Sequence, residues 1–347
     1  MPIELDRRLF TLGLGTSLVA GAAGMGRARA ASGRVVVGTW GGDYQGLQQR
    51  HIVDTLLTPQ GVDVVFDTAN DTVRRTKLMS ERRLPRGSMD VACLTNAGSY
   101  QMAANGVFDE IDEDRVPNLK HVLPKLRTSY SAPHIYTGRV ILYNPEIITK
   151  APTSYADLWN PEYAGKVGVI DIQYQTTIES AAMIAGGSLS DYEPGKDKLL
   201  ELKEMGVRIY PTNEAMAQAL ASGECAMCIM WQARGNMWKR AGLPIEIAIP
   251  EEGVVLYVSD MSVPKNARNK DAAYAYLNAM LDPGPQRAFA EAMGYAPTID
   301  NADLPPELAK EVALPPEVQD SFLVQDQEYL LENDAQLQDW WNRVFKA

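Results

Sequence analysis

Cysteine and histidine are scarce in this chain of 347 residues, with three of each, and the shortage excludes several classes of function. Cys93, Cys225 and Cys228 are too few, and odd in number, for a disulfide scaffold. Cys225 and Cys228 have a redox-like spacing. They sit, however, in the apolar run Cys-Ala-Met-Cys-Ile-Met-Trp, which reads as a buried strand over 224–231. Residues three apart on a strand point to opposite faces, roughly 10 Å apart, whereas a disulfide needs Cα atoms within about 7 Å. Core thiols are therefore expected. His51, His121 and His134 have no metal-ligand spacing, and no metal or cofactor is expected. There is no Ser-His-Asp set and no phosphate loop, so the chain does not read as an enzyme. Basic charge is also short: 33 Lys and Arg against 44 Asp and Glu leave a net charge of −11. Nucleic acid, which demands clustered cations, is not an expected partner. An acidic surface is compatible with a cationic ligand, and equally with plain solubility.

Long hydrophobic runs are missing as well. The nearest is the Gly- and Ala-rich stretch after Asp6-Arg7-Arg8-Leu9-Phe10, followed by the small-x-small sequence Ala28-Arg29-Ala30. It is short for a bilayer span and broken by glycines. Charged region, apolar region and cleavage site together predict a secretory signal over residues 1–30, and the paired arginines suggest twin-arginine export. The mature chain is expected in the periplasm.

What is present is a globular composition, 46% hydrophobic and 22% charged. Short Val-rich runs alternate with helical patterns. Strands are expected at 34–39, 62–66 and 89–94, with a helix opening at Trp40-Gly41-Gly42-Asp43-Tyr44 and another capped by Asn70. From Asn144 a second block follows, with strands at 166–171, 207–210, 224–231, 245–249 and 254–258. Its helices are expected at 173–185, 196–205 and 213–222, the last with Asn213 as cap, and at 271–281 and 284–293. The Pro-rich stretch 304–316 reads as a surface connection. Residues 325–345 read as an amphipathic helix with Leu330, Leu331, Leu337, Trp341 and Phe345 on one stripe. This alternation predicts an α/β fold with a mostly parallel sheet.

Several segments together resemble the family 1 extracellular solute-binding proteins, and within them the spermidine/putrescine-binding branch. They are Leu142-Tyr143-Asn144 with the Pro152–Trp159 and Pro161–Val167 stretches, Ser222-Gly223-Glu224 leading to Met230-Trp231, Pro250-Glu251-Glu252-Gly253 with Tyr257 to Pro264, and Met293-Gly294-Tyr295-Ala296-Pro297. The resemblance implies a two-lobed, type II periplasmic-binding-protein fold with two crossover strands at the hinge, near 139–144 and 255–262. Lobe 1 would comprise residues 31–140 and about 260–310, lobe 2 residues 141–259, and residues 311–347 a C-terminal helical segment packing on both. A monomer would close on a small molecule in the interlobe cleft and dock on an inner-membrane ABC permease.

By the family's pattern Trp40, Trp231, Tyr257 and Tyr295 match aromatic pocket positions, and aromatic faces attract ammonium groups. The branch's carboxylates do not carry over: their places fall on Gly42, beside Asp43; near Ile172 and Gln175; and on Ser259, beside Asp260. A one-residue slip on a strand flips the face, which makes Asp260 a doubtful substitute. Arg234, three residues after Trp231, suits a carboxylate. The Gly41-Gly42 pair at a helix start can present N–H groups to an anion. The expected ligand set is thus Trp40, Gly41, Gly42, Asp43, Tyr44, Gln175, Trp231, Arg234, Tyr257, Ser259, Asp260 and Tyr295. The expected solute is a small zwitterion such as an amino acid, a γ-amino acid or a betaine-like compound. The alternatives are a polyamine or, in another class, an enzyme on the same fold.

Overall fold

The computed structural model describes residues 33–313 and 322–347, so the expected signal over 1–30 and the end of the Pro-rich stretch lie outside the described residues. The Val-rich opening forms β1 (Gly33–Thr39), which pairs in parallel with β2 (Val62–Thr68) and β3 (Val91–Thr95). Between them run α1 (Gly42–Gln48), continued as a π-helix to Leu57, and α2 (Asp71–Glu81). Asn70 caps α2 by accepting from Val73 N, and α3 (Asn96–Ala104) follows β3.

The long strand β4 (Ala132–Tyr143) leads into the second block. That block contains β5 (Val167–Ile170), α4 (Tyr174–Ile184), α5 (Glu193–Glu204), β6 (Arg208–Tyr210), α6 (Asn213–Ala221), β7 (Met227–Trp231), α7 (Gln232–Arg240) and β8 (Glu246–Ala248). The return strand β9 (Leu256–Ser262) precedes α8 (Lys270–Met280), α9 (Pro283–Met293), the short β10 (Ala296–Pro297) and α10 (Pro306–Val312). A C-terminal helix, Gln327–Trp340, ends the chain with a π turn to Phe345.

Among the described residues ten strands join one sheet, whose main order is β2-β1-β3-β9-β4-β7-β5-β6. The expected mostly parallel sheet is corrected: both ends are parallel, but β9 and β4 enter antiparallel to their neighbours. The reason lies in β4. Its first half pairs with β9, from Ala132↔Met261 to Gly138↔Leu256, and its second half with β7, from Arg139↔Trp231 to Tyr143↔Met227. One strand therefore serves separate cores. Ala132, Ile135 and Tyr136 pack in the core with Val35, Leu47 and Phe289, while Ile141 packs with Tyr155, Ile178 and Leu199. Leu330, Leu337, Trp341 and Phe345 bury the C-terminal helix against that second core, with Leu331 only half-buried.

Other expectations need adjusting. The Pro-rich stretch contains α10, started by its prolines at the first turn, where a missing N–H costs nothing. Thr212, not Asn213, caps α6 by accepting from Ala215 N at 3.1 Å. Cys225 lies just before β7 rather than in it, its thiol donating to Tyr210 Oη at 3.1 Å; all three cysteines are free and buried. Among the described residues no helix is long and apolar enough to cross a membrane.

Asp260 sits on β9 opposite Leu94 and Pro133, only 3% exposed. Burial raises its pKa from 3.8 to about 7, against the opposing effect of a hydrogen bond with Ser131. Its neutral form is favoured in the fold, so its contribution to stability is full below pH 3.8 and is lost as pH rises through about 7. Asp260→Asn should therefore melt close to wild type at about pH 3.5 and several degrees above it at about pH 8. A difference that does not change with pH would contradict this.

Candidate functional site

A cleft of about 670 Å³ opens beside the point where β4 changes partners. It takes lining residues from loops at strand ends on both sides of the sheet, where α/β folds bind ligands. From the first block come Trp40–Tyr44 at the end of β1, Asn70–Thr72 at the start of α2, and Thr95 at the end of β3. From the second come Ile172, Asn213 and Glu214. Between them lie Ile135 on β4, Trp231 ending β7, Arg234 and Met237 on α7, Tyr257 on β9, and Met293 and Tyr295 around the end of α9.

The aromatic groups make one continuous wall. The rings of Trp231 and Tyr257 lie 5.0 Å apart, and those of Tyr257 and Tyr295 lie 6.4 Å apart. Trp40 approaches this wall through a hydrogen bond from its Nε1 to Ser259 Oγ at 3.3 Å. Tyr44 lines the cleft, but its hydroxyl meets His134 Nδ1 at 2.9 Å. Burial lowers the pKa of His134 to about 3, so the ring is neutral at physiological pH and accepts or donates as an uncharged group. Burial likewise raises the hydroxyl pKa values of Tyr257 and Tyr295, the latter opposed by the charge and hydrogen bond of Arg234. These phenols remain protonated, and none supplies an anion to the cleft.

Charge comes from four side chains. Asp43 is exposed on the rim. Asp71 accepts from Arg75 Nε at 2.6 Å and from the backbone N–H of Thr95 at 3.0 Å. Glu214 is largely exposed and lies 3.8 Å from Arg234 Nη1, a distance at which the pair is loose. Arg234 is mostly buried, and its Nε is without a hydrogen-bond partner among the described residues. Three carboxylates thus face one guanidinium around the cleft. Among the described residues no group of three or more His, Cys, Asp or Glu is placed to hold a metal ion.

Nine of the expected ligand residues line this cleft: Trp40, Gly41, Gly42, Asp43, Tyr44, Trp231, Arg234, Tyr257 and Tyr295. Gly42 adopts φ of +60°, a conformation favouring glycine, and a Cβ there would meet open space. The other three do not line it. Ser259 is fully buried and meets Trp40 and Cys93 from behind. Asp260 points to the opposite side of β9, as strand alternation requires, next to a smaller cavity with Tyr130 and Gln327. Gln175 is turned away on α4 and donates to Asp334 of the C-terminal helix. The carboxylates of Asp71 and Glu214 were missed by sequence reasoning. The only signal for either was its place at the start of a helix that follows a strand.

Comparison with known proteins is consistent with this architecture. Residues 52–316 match the family model described as bacterial extracellular solute-binding protein. The spermidine/putrescine-binding periplasmic protein of Escherichia coli (strain K12) is 27% identical over 310 residues, covering 85% of this chain and 84% of that protein. The crystal structure of an ABC transporter from Clostridium perfringens ATCC 13124 superposes with a TM-score of 0.76 at 25% identity, over 90% of this chain and 99% of the other. The Atu4243–GABA receptor superposes with a TM-score of 0.80 at 22% identity, over 91% and 98%, a likeness that bears on the fold alone. With the periplasmic-binding-protein fold in place and the family model spanning most of its length, the chain belongs to the bacterial extracellular solute-binding proteins and is a solute-binding protein of an ABC importer.

Proposed function

We propose that this protein captures a small amine-bearing organic solute in the periplasm and delivers it to an ABC permease. The observation that carries the proposal is the cleft itself, where the aromatic wall of Trp231, Tyr257 and Tyr295, with Trp40 beside it, is ringed by Asp43, Asp71 and Glu214. Aromatic faces each contribute roughly 0.5–2 kcal/mol to a bound cation, and the carboxylates favour the same charge. A polyamine is the better-supported solute, because the relative at 27% identity is named for spermidine and putrescine. This reverses the order expected from sequence, in which a zwitterion came first. One observation still favours the zwitterion: Arg234 lines the cleft with an unpaired, buried Nε, a donor set suited to a carboxylate.

The capture step would be hinge closure. Residues 31–140 with about 260–310 would move as one lobe against 141–259, with residues 311–347 packed across them, and β4 and β9 would flex between. The protein would do this as a monomer.

Thermal-shift titration separates the solute readings. A ligand at a hundred times its dissociation constant stabilises by about 2.7 kcal/mol. Putrescine or spermidine should raise the melting temperature by several degrees and should still do so in Arg234→Ala. A shift with γ-aminobutyrate or a betaine alone, abolished in Arg234→Ala, would favour the zwitterion instead. No shift with any amine would sink the proposal.

A further inference from the structure

The indole of Trp231 has a buried cation against it. Arg139 Cζ lies 5.4 Å from the ring centroid, yet Arg139 is only 1% exposed and does not line the cleft. Arg139 occupies the position at which β4 changes partner: Gly138 pairs with Leu256, and Arg139 pairs with Trp231 itself. Its guanidinium forms an ion pair with Glu179 on α4, which is fully buried. Glu179 also accepts from the hydroxyl of Tyr192 and, at 2.8 Å, from Nε2 of Gln325, just before the C-terminal helix. The hydroxyl of Tyr155 donates to the carbonyl of Arg139 at 3.2 Å. A buried ion pair is a poor source of stability, because desolvation offsets most of its attraction, and apolar residues of similar volume often stabilise as well. What this pair adds is orientation: a planar guanidinium, fixed by a carboxylate, over the ring of an indole.

We propose that Arg139 and Glu179 are positioning residues for Trp231, so that solute affinity depends on two side chains outside the cleft. Gln325 extends the same network to the C-terminal segment. The effect on affinity rests on the cleft being the solute site, whereas the effect on Trp231 does not. Trp40 supplies an internal comparison. It also has an arginine over its ring, Arg74 at 4.7 Å, but Arg74 donates to the carbonyls of Cys93 and Ala69 and not to Glu179. Trp40 should therefore not respond to changes at Glu179.

The test uses the full protein labelled with 5-fluorotryptophan, with the Trp231 and Trp40 resonances assigned by their loss in Trp231→Phe and Trp40→Phe. In Glu179→Gln the Trp231 resonance should shift or broaden while that of Trp40 stays in place. Putrescine, titrated as the probe, should bind roughly tenfold more weakly, the order expected when one aromatic contact is lost. Gln325→Ala, which removes only one donor to Glu179, should move the same resonance less and decides the matter should Glu179→Gln fail to fold. An unmoved Trp231 resonance in the folded variants overturns the proposal, even where the melting temperature falls. A moved resonance with unchanged affinity overturns the dependence of binding on the pair. Should putrescine not bind the wild-type protein, the solute reading fails while the resonance still tests the positioning.

Discussion

The rest of the structure depends on the double pairing of β4. A strand of twelve residues is hydrogen-bonded to β9 through its first half and to β7 and β8 through its second. Because the strand is continuous, the cores it enters cannot be arranged independently. The end of β7, the start of β9 and the loops after β1 and β3 are brought around its midpoint. Trp231 and Tyr257 are neighbours 5.0 Å apart only because β7 and β9 flank the same strand in succession. The cleft is thus a consequence of sheet topology before it is a matter of side-chain chemistry.

On that scaffold the side chains separate into two electrical layers. Toward the cleft stand aromatic rings, three carboxylates and the loosely paired Arg234. Behind the rings stand groups that burial keeps neutral or paired. His134 is uncharged at a pKa of about 3, and Asp260, its pKa raised to about 7 by burial, is only partly ionised at neutral pH. Arg139 is matched by Glu179. A bound cation would therefore feel the rim carboxylates more than any charge behind the wall, since buried charges without partners are costly and few are kept.

The parts of this arrangement that were legible in the sequence are those governed by local rules. Val-rich runs mark β1 and β2, and Asn70 marks the start of α2 by the hydrogen bond it accepts. The aromatic wall was legible through family resemblance, since Trp40, Trp231, Tyr257 and Tyr295 stand in matching segments. What was not legible depends on distant contacts. Gln175 is turned from the cleft by Asp334, 159 residues away. Ser259 and Asp260 differ by one residue and so face opposite sides of β9, a choice set by pairing with β3 and β4 rather than by their own identity. Asp71 and Glu214 reach the cleft because sheet order brings the starts of α2 and α6 to the same opening, which no local pattern reveals. The antiparallel centre of the sheet was hidden for the same reason.

On the function proposed above, one cleft, spanned by β4 and β9, closes on a small amine-bearing solute. Small-angle X-ray scattering of the purified protein with and without saturating putrescine tests it most directly. Putrescine should give a smaller radius of gyration, and none of that change should appear when Trp231 and Tyr257 are both replaced by alanine. An unchanged radius on saturation of the wild-type protein would contradict closure around the cleft.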